Sequence, residues 1–221
     1  MVSKTEKIIR LFINNLKVIQ KTTINLFWFR RDLRLDDNVG LYHALQAGAS
    51  VLPIFIFDTD ILEKLENKND RRVDYIHQAV NFINQELEKH GSKLNTYIGK
   101  PAEIFQNLHS GYDIEAVYCN RDYEPQAINR DTVIYHFFKE RKIAFKAFKD
   151  QLIFDKNDIL KNDDTSYTVY TPYAKKWREN LKPEDYQFYK TDFSKFYKQA
   201  FSETHSLKKI GFEKTDMIFE I

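Results

Sequence analysis

The chain has 221 residues with a net charge of +2, and its 43% hydrophobic residues include 18 Phe and 13 Tyr. So near-neutral a balance supplies no global basic field for nucleic-acid binding, and only 6 Gly and 5 Pro argue against gross disorder. The one cysteine, Cys119, excludes an intrachain disulfide and points to a cytoplasmic setting, and no apolar run is long enough to span a bilayer.

Residues 1–22 set Lys4, Lys7, Arg10, Lys17 and Lys21 against Glu6, with Ile8, Leu11, Phe12, Leu16 and Ile19 near helical spacing. This basic amphipathic extension reads as a helix docked on the domain; a membrane-surface or targeting segment, or translated sequence upstream of the true start, are the alternatives. The run 24–29 stops abruptly at Arg30-Arg31-Asp32-Leu33-Arg34-Leu35-Asp36-Asp37-Asn38, as a buried strand does on reaching a polar rim. Those charges either pair among themselves to hold a loop or face a ligand at the strand's carboxyl end. Asp36 or Asp37 is expected to cap a helix from about Asn38, with Leu41, Ala44 and Leu45 facing the core.

A second doubly buried strand is expected over 51–57. Asp70 then reads as the cap of the clearest helix, in which Val73, Ile76, Val80, Ile83 and Leu87 recur at spacings of three and four. A short strand over 94–98, a helix opened by Gly99-Lys100-Pro101, a strand over 114–119, a helix over 126–141 and a strand over 143–148 follow. Five strands alternating with helices predict an α/β domain, a Rossmann-like five-stranded parallel sheet with helices on both faces. Past Gln151 the alternation fails: a polar loop leads to Thr171-Pro172, which reads as cap and first turn of a helix through Trp177. Residues 181–221 lack a clean period and read as a linker wrapping the domain. Their aromatic residues Phe188, Tyr189, Phe193, Phe196, Tyr197, Phe201 and Phe212 suggest a surface that awaits a partner.

No P-loop, Gly-x-Gly-x-x-Gly fingerprint or nucleophile elbow is present, and the six His have no metal-ligand spacing, so no catalytic or metal residue is assigned. Arg121, Glu124, Arg130 and Asp131 are expected to brace the turn after the fourth strand and the start of the next helix.

Four stretches in order resemble the DNA photolyase/cryptochrome family. They are Trp28 to Asn38, Pro53-Ile54-Phe55-Ile56-Phe57-Asp58, Asn120-Arg121-Asp122-Tyr123-Glu124-Pro125 with Arg130-Asp131, and Tyr167-Thr168-Val169-Tyr170-Thr171-Pro172-Tyr173 leading to Trp177. A weaker echo lies at Leu207-Lys208-Lys209-Ile210-Gly211-Phe212. The resemblance implies the amino-terminal, antenna-binding α/β domain over 23–180, followed by a linker toward a carboxyl-terminal helical domain that holds FAD and lies beyond this chain. In such a light-dependent repair enzyme, reduced flavin gives an electron to a pyrimidine dimer flipped out of damaged DNA. The 221 residues by themselves are expected to be inactive, and the whole protein to be a monomer. A cryptochrome light receptor, or a stand-alone chromophore- or nucleotide-binding module, are the alternatives.

The positions matching a deazaflavin or flavin antenna site are Arg31, Phe55, Asp58, Arg72 and Asp122. Phe55 would offer a ring face, the carboxylates would accept from ring or ribityl donors, and the arginines would hold carbonyls or a phosphate. The folate-binding branch resembles an Asn-Glu pair where this chain has Gln126-Ala127. Loss of the acidic acceptor favours a deazaflavin or flavin over folate. Lys175, Lys176 and Arg178 are candidates for contact with a DNA phosphate.

Overall fold

The computed structural model describes residues 21–218, so the extension read over residues 1–22 falls almost wholly outside it. The elements run β1 (Thr23–Phe29), α1 (Val39–Leu45), β2 (Val51–Asp58), the single turn α2 (Thr59–Leu62), α3 (Arg71–Glu88), β3 (Asn95–Gly99), α4 (Pro101–Gly111), β4 (Asp113–Asn120), α5 (Pro125–Glu140), β5 (Ala144–Phe148) and α6 (Tyr170–Asn180). All strand pairs are parallel, in the order β3-β2-β1-β4-β5. The five strands and their helices stand where the apolar runs and periods place them.

Because β1 is central and covered on both faces, its side chains divide between two cores. Phe27 and Phe29 join Phe57, Leu41, Val80 and Ile83 beneath α1 and α3. Leu26 and Trp28 join Ile54, Val117, Phe105 and Phe138 beneath α4 and α5. Each large side chain so buried stabilises the fold by about 1.5–3 kcal/mol relative to exposure.

Two helix starts differ from expectation. Asn38, not Asp36 or Asp37, caps α1, its Oδ1 accepting from Leu41 N at 3.1 Å. Asp37 lies in the left-handed region (φ 53°), and its carbonyl accepts from Arg34. The last helix begins at Tyr170, which puts Pro172 inside the first turn; there an N–H has no partner to lose.

The tail is more than a wrapping. Phe196 pairs with Val51 at the sheet's amino end, and Phe196, Leu207, Ile210 and Phe212 are buried with the α1 and α3 core. This corrects the expectation for Phe196 and Phe212, which are core residues of this domain, whereas Phe188 and Phe201 stay exposed. Beside its apolar stripe α3 carries a second, polar one that seats the returning chain. Asn84 Nδ2 donates to Ser202 O (3.0 Å), Asn81 accepts from Thr204, His77 Nε2 donates to His205 O (3.0 Å), and Asp74 accepts from Thr215. Thr96 Oγ1 of β3 lies 2.7 Å from His205 Nδ1.

This seat is acid-sensitive. Burial holds both His77 and His205 below their ordinary value; the hydrogen bond to His205 O and the Asp74 charge oppose the effect at His77, and Lys209 adds to it at His205. Depressed folded values mean that the neutral imidazoles stabilise the seat above about pH 6.5, and that this stability is lost as pH falls through the folded values. Amide exchange in 202–217, corrected for intrinsic rate, is expected to be faster at about pH 5 than at about pH 7.5. Protection in β1, β2 and β4 should persist, and an unchanged tail would refute the acid-sensitive seat.

Candidate functional site

In the order β3-β2-β1-β4-β5 the connections leaving β1 and β4 turn to opposite faces, which opens a crevice at their carboxyl ends. The residues that fill it are buried and polar. Asn120, the last residue of β4, donates from Nδ2 to Asp32 Oδ2 (2.6 Å) and Asn38 Oδ1 (2.8 Å) and accepts from Gly40 N (2.8 Å). Asp32 Oδ1 also accepts from Arg30 N at 2.8 Å. A Cβ on Gly40 would meet Asn120 Oδ1 at 2.6 Å and the Cys119 carbonyl carbon at 3.1 Å, so only glycine lets α1 approach β4 this closely.

Around this lock the charges pair across the sheet's rim rather than among themselves. Arg30 binds Asp131 and the Asn120 carbonyl, Arg31 binds Glu124, Arg34 binds Asp150, and Arg121 binds Asp155. The Asp150 side chain is fully buried and also accepts from Val39 N at the start of α1. The guanidinium carbons of Arg30 and Arg130 lie 4.9 and 4.7 Å from the ring of buried Trp28. Arg130 and Arg30 share Asp131, so the bracing role expected of this set is what the geometry shows. Burial drives the Cys119 thiol up to about 12, which keeps it a neutral core group.

Of the five residues expected to line an antenna site, Arg31 and Asp122 meet, at 3.6 Å. Phe55 is 7% exposed and packs edge-on to Phe57 within the core, so its ring presents no face at the rim. Asp58 caps α2, accepting from Asp60 N at 3.0 Å; burial pushes its carboxyl up, against the pull of that hydrogen bond and of Arg130. Arg72 is exposed and folds back on Asp70, the cap of its own helix, at 3.0 and 2.5 Å. Ala127, at the folate-pair position, is buried under the first turn of α5. On α6 Lys175 and Arg178 are exposed and Lys176 is half-buried, so the three do not form one face; Lys175 lies 4.0 Å from Glu179.

Two spaces adjoin the rim. Between Arg30, Asp32, Asn120 and Gln151 is a cavity of about 10 Å³, room for a single water. A groove of about 1060 Å³ lies beyond Asp122, on the flank where α5 contributes Ile128, Thr132 and Tyr135 and β5 contributes Phe145 and Ala147. The segment 152–173 forms its far side with Leu152, Phe154, Tyr167 and Tyr173. At its mouth burial, and then the bond to Asp155 (2.5 Å), push the Tyr123 phenol up, so this hydroxyl is a fixed donor. Sequence reasoning missed the groove and the roles of Asn38, Asn120 and Asp150; the one available signal was an asparagine ending an otherwise apolar strand.

The DNA photolyase family model matches residues 25–195. A deoxyribodipyrimidine photo-lyase of Synechococcus sp. is 34% identical over 158 residues, which cover 72% of this chain and 32% of that protein. A class III photolyase from Agrobacterium tumefaciens superposes with a TM-score of 0.73 at 24% identity, covering 91% of this chain and 40% of its own. An archaeal photolyase from Sulfolobus tokodaii, described with two FAD molecules and a novel light-harvesting cofactor, gives 0.64 at 27% identity over 88% of this chain and 43% of its own. The chain thus spans about a third of that curated relative and about two-fifths of each solved one.

Proposed function

The chain belongs to the DNA photolyase family, and we propose that it holds a planar antenna chromophore at the rim of its sheet and serves a deoxyribodipyrimidine photolyase acting on damaged DNA. The observation that carries this reading is the aromatic-lined groove opening beside Asp122 and Arg31, on a fold matched by photolyases. Its residues suit a flat ring: Tyr135, Tyr167 and Tyr173 offer faces, and Asp122 and the Tyr123 oxygen, whose proton is given to Asp155, offer acceptors at the mouth. When bound, such a chromophore absorbs light and passes the excitation to a reduced flavin, which this reading assigns to a helical domain docked on the chain. This chain's part is to orient the ring and keep water from its faces. A flavin-class antenna is favoured over folate because Ala127 cannot accept from pterin amino groups; the second FAD of the Sulfolobus tokodaii relative supports the same class.

The test is to equilibrate the purified chain with a deazaflavin, FMN and a methenylated folate in turn and follow ligand fluorescence. Retention of a deazaflavin or flavin is expected. Asp122→Ala, which removes a charged acceptor, should weaken binding about tenfold or more while leaving the thermal midpoint nearly unchanged. No retention of any of the three would overturn the reading.

A further inference from the structure

We infer that residues 160–188 form a hinged arm, pinned at both ends, which opens and closes the groove beside Asp122. What the groove admits rests on the antenna reading above; the hinge does not.

The two walls of the groove belong to different bodies. One wall is Ile128, Thr132 and Tyr135 of α5 with Phe145 and Ala147 of β5, elements anchored in the core through Ile134 and Phe138. Ser166, Tyr167 and Tyr173 belong to the facing wall. Among the described residues, no hydrogen bond or ion pair joins 160–188 to the sheet or to α1–α5. Its bonds close within the arm: Lys161 N donates to Thr165 O at 2.9 Å, Asp164 N to Lys161 O at 3.0 Å, and Lys182 N to Asp185 at 2.9 Å. In α6 only Ala174 is buried, and a helix of 11 residues is marginal in water without packing. Trp177, edge-on to Phe154 at 5.5 Å, clasps α6 to the chain that precedes the arm.

The ends, by contrast, are held. Ahead of the arm Asp155 accepts from Arg121 and from the Tyr123 hydroxyl (2.5 Å), Asp158 accepts from Lys149 (2.7 Å), and Ile159 is buried. Behind it the Tyr189 carbonyl accepts from Asp37 N (2.8 Å), and Thr191 Oγ1 donates to Leu35 O (2.5 Å). A stretch with few buried side chains between two fixed points opens at a lower free-energy cost than the body that carries it. Since one wall travels with the arm, opening uncovers Ile128 and Tyr135, and closure narrows the groove over them.

Hydrogen exchange read by mass spectrometry on the whole chain tests the hinge. Amides of 161–180 are expected to exchange about tenfold or more faster than those of α5. Asp155→Asn, which takes the charged acceptor from Arg121 and Tyr123, should quicken 156–180 by a further factor of about five or more, with α5 and β4 unchanged. Tyr123→Phe removes one hydroxyl and should act in the same sense to a smaller extent, which keeps the test open if the first variant folds poorly. Acrylamide quenching of indole emission, to which buried Trp28 contributes little, should rise about twofold in Asp155→Asn as Trp177 leaves Phe154. Arm amides that exchange no faster than α5 would make the arm part of the body, and acceleration that spreads equally to α5 and β4 would make Asp155 a general stabiliser; either overturns the hinge. Faster exchange with unchanged quenching would show that the Trp177 clasp, and the groove with it, stays shut, and overturns the gate. Neither measurement uses a chromophore, so the hinge and the antenna reading fail separately.

Discussion

Asn120→Leu is expected to lower the unfolding free energy by about 3–5 kcal/mol, the largest loss of any single change at the rim. Leucine keeps the branched shape of asparagine but is bulkier, so overpacking adds to the loss that comes from stranded partners. Gly40 N would lose its acceptor in a buried position, worth about 1–3 kcal/mol. Asp32 would keep Arg30 N and Asn38 Nδ2 but lose its shortest donor, at 2.6 Å, and a charge-assisted bond of this kind contributes about 1.5–3 kcal/mol. Urea unfolding followed by circular dichroism measures the sum. A loss below about 1 kcal/mol would mean that water replaces the amide and that the crevice is not the lock described above.

Asp74→Ala is the second large effect, and it should be local. The carboxylate is buried and accepts from Thr215 N and Thr215 Oγ1 at 2.7 Å each, and from Gln78 at 3.0 Å. Burial alone would raise its carboxyl; the bonds from Thr215 and Gln78 hold it below the usual range, so it stays charged at neutral pH and binds the tail most strongly there. The linkage is therefore stabilising above the unfolded value and lost only as pH falls through the depressed folded one. Removal of the carboxylate should cost about 2–3 kcal/mol and free the chain around Thr215. Limited proteolysis is expected to cut within 203–217 in the variant and not in the parent, with strand signals retained. Equal resistance of the two proteins would show that Leu207, Ile210 and Phe212 hold the tail without help from the polar stripe.

The contrast between these two loci and the strands explains what could be read from sequence. β1, β2 and β4 were legible because a strand buried on both faces must be apolar at every position, and α3 because Val73, Val80, Ile83 and Leu87 keep one period over five turns. That same double burial hid the direction of Phe55: where both faces are covered, alternation no longer says which side faces a ligand. Asn38 and Asn120 look like ordinary turn residues, and their value comes from meeting across 82 positions of chain. Phe196, Ile210 and Phe212 dock one at a time from irregular backbone, so no period announced them as core. Half of the groove is built from the irregular segment 152–169 and the first turn of α6, and its existence depends on where that segment comes to rest against α5.

The setting of Trp28 has an optical consequence. With two guanidinium groups against its ring and only 2% exposed, this indole is shielded from quenchers in solvent and from solvent relaxation. The chain's other indole, Trp177, lies 5.5 Å from Phe154, a residue of the groove's far side. Light absorbed by Trp177 would pass readily to a ring seated there. Binding in the groove, as proposed, would therefore be read as a loss of indole emission without any label.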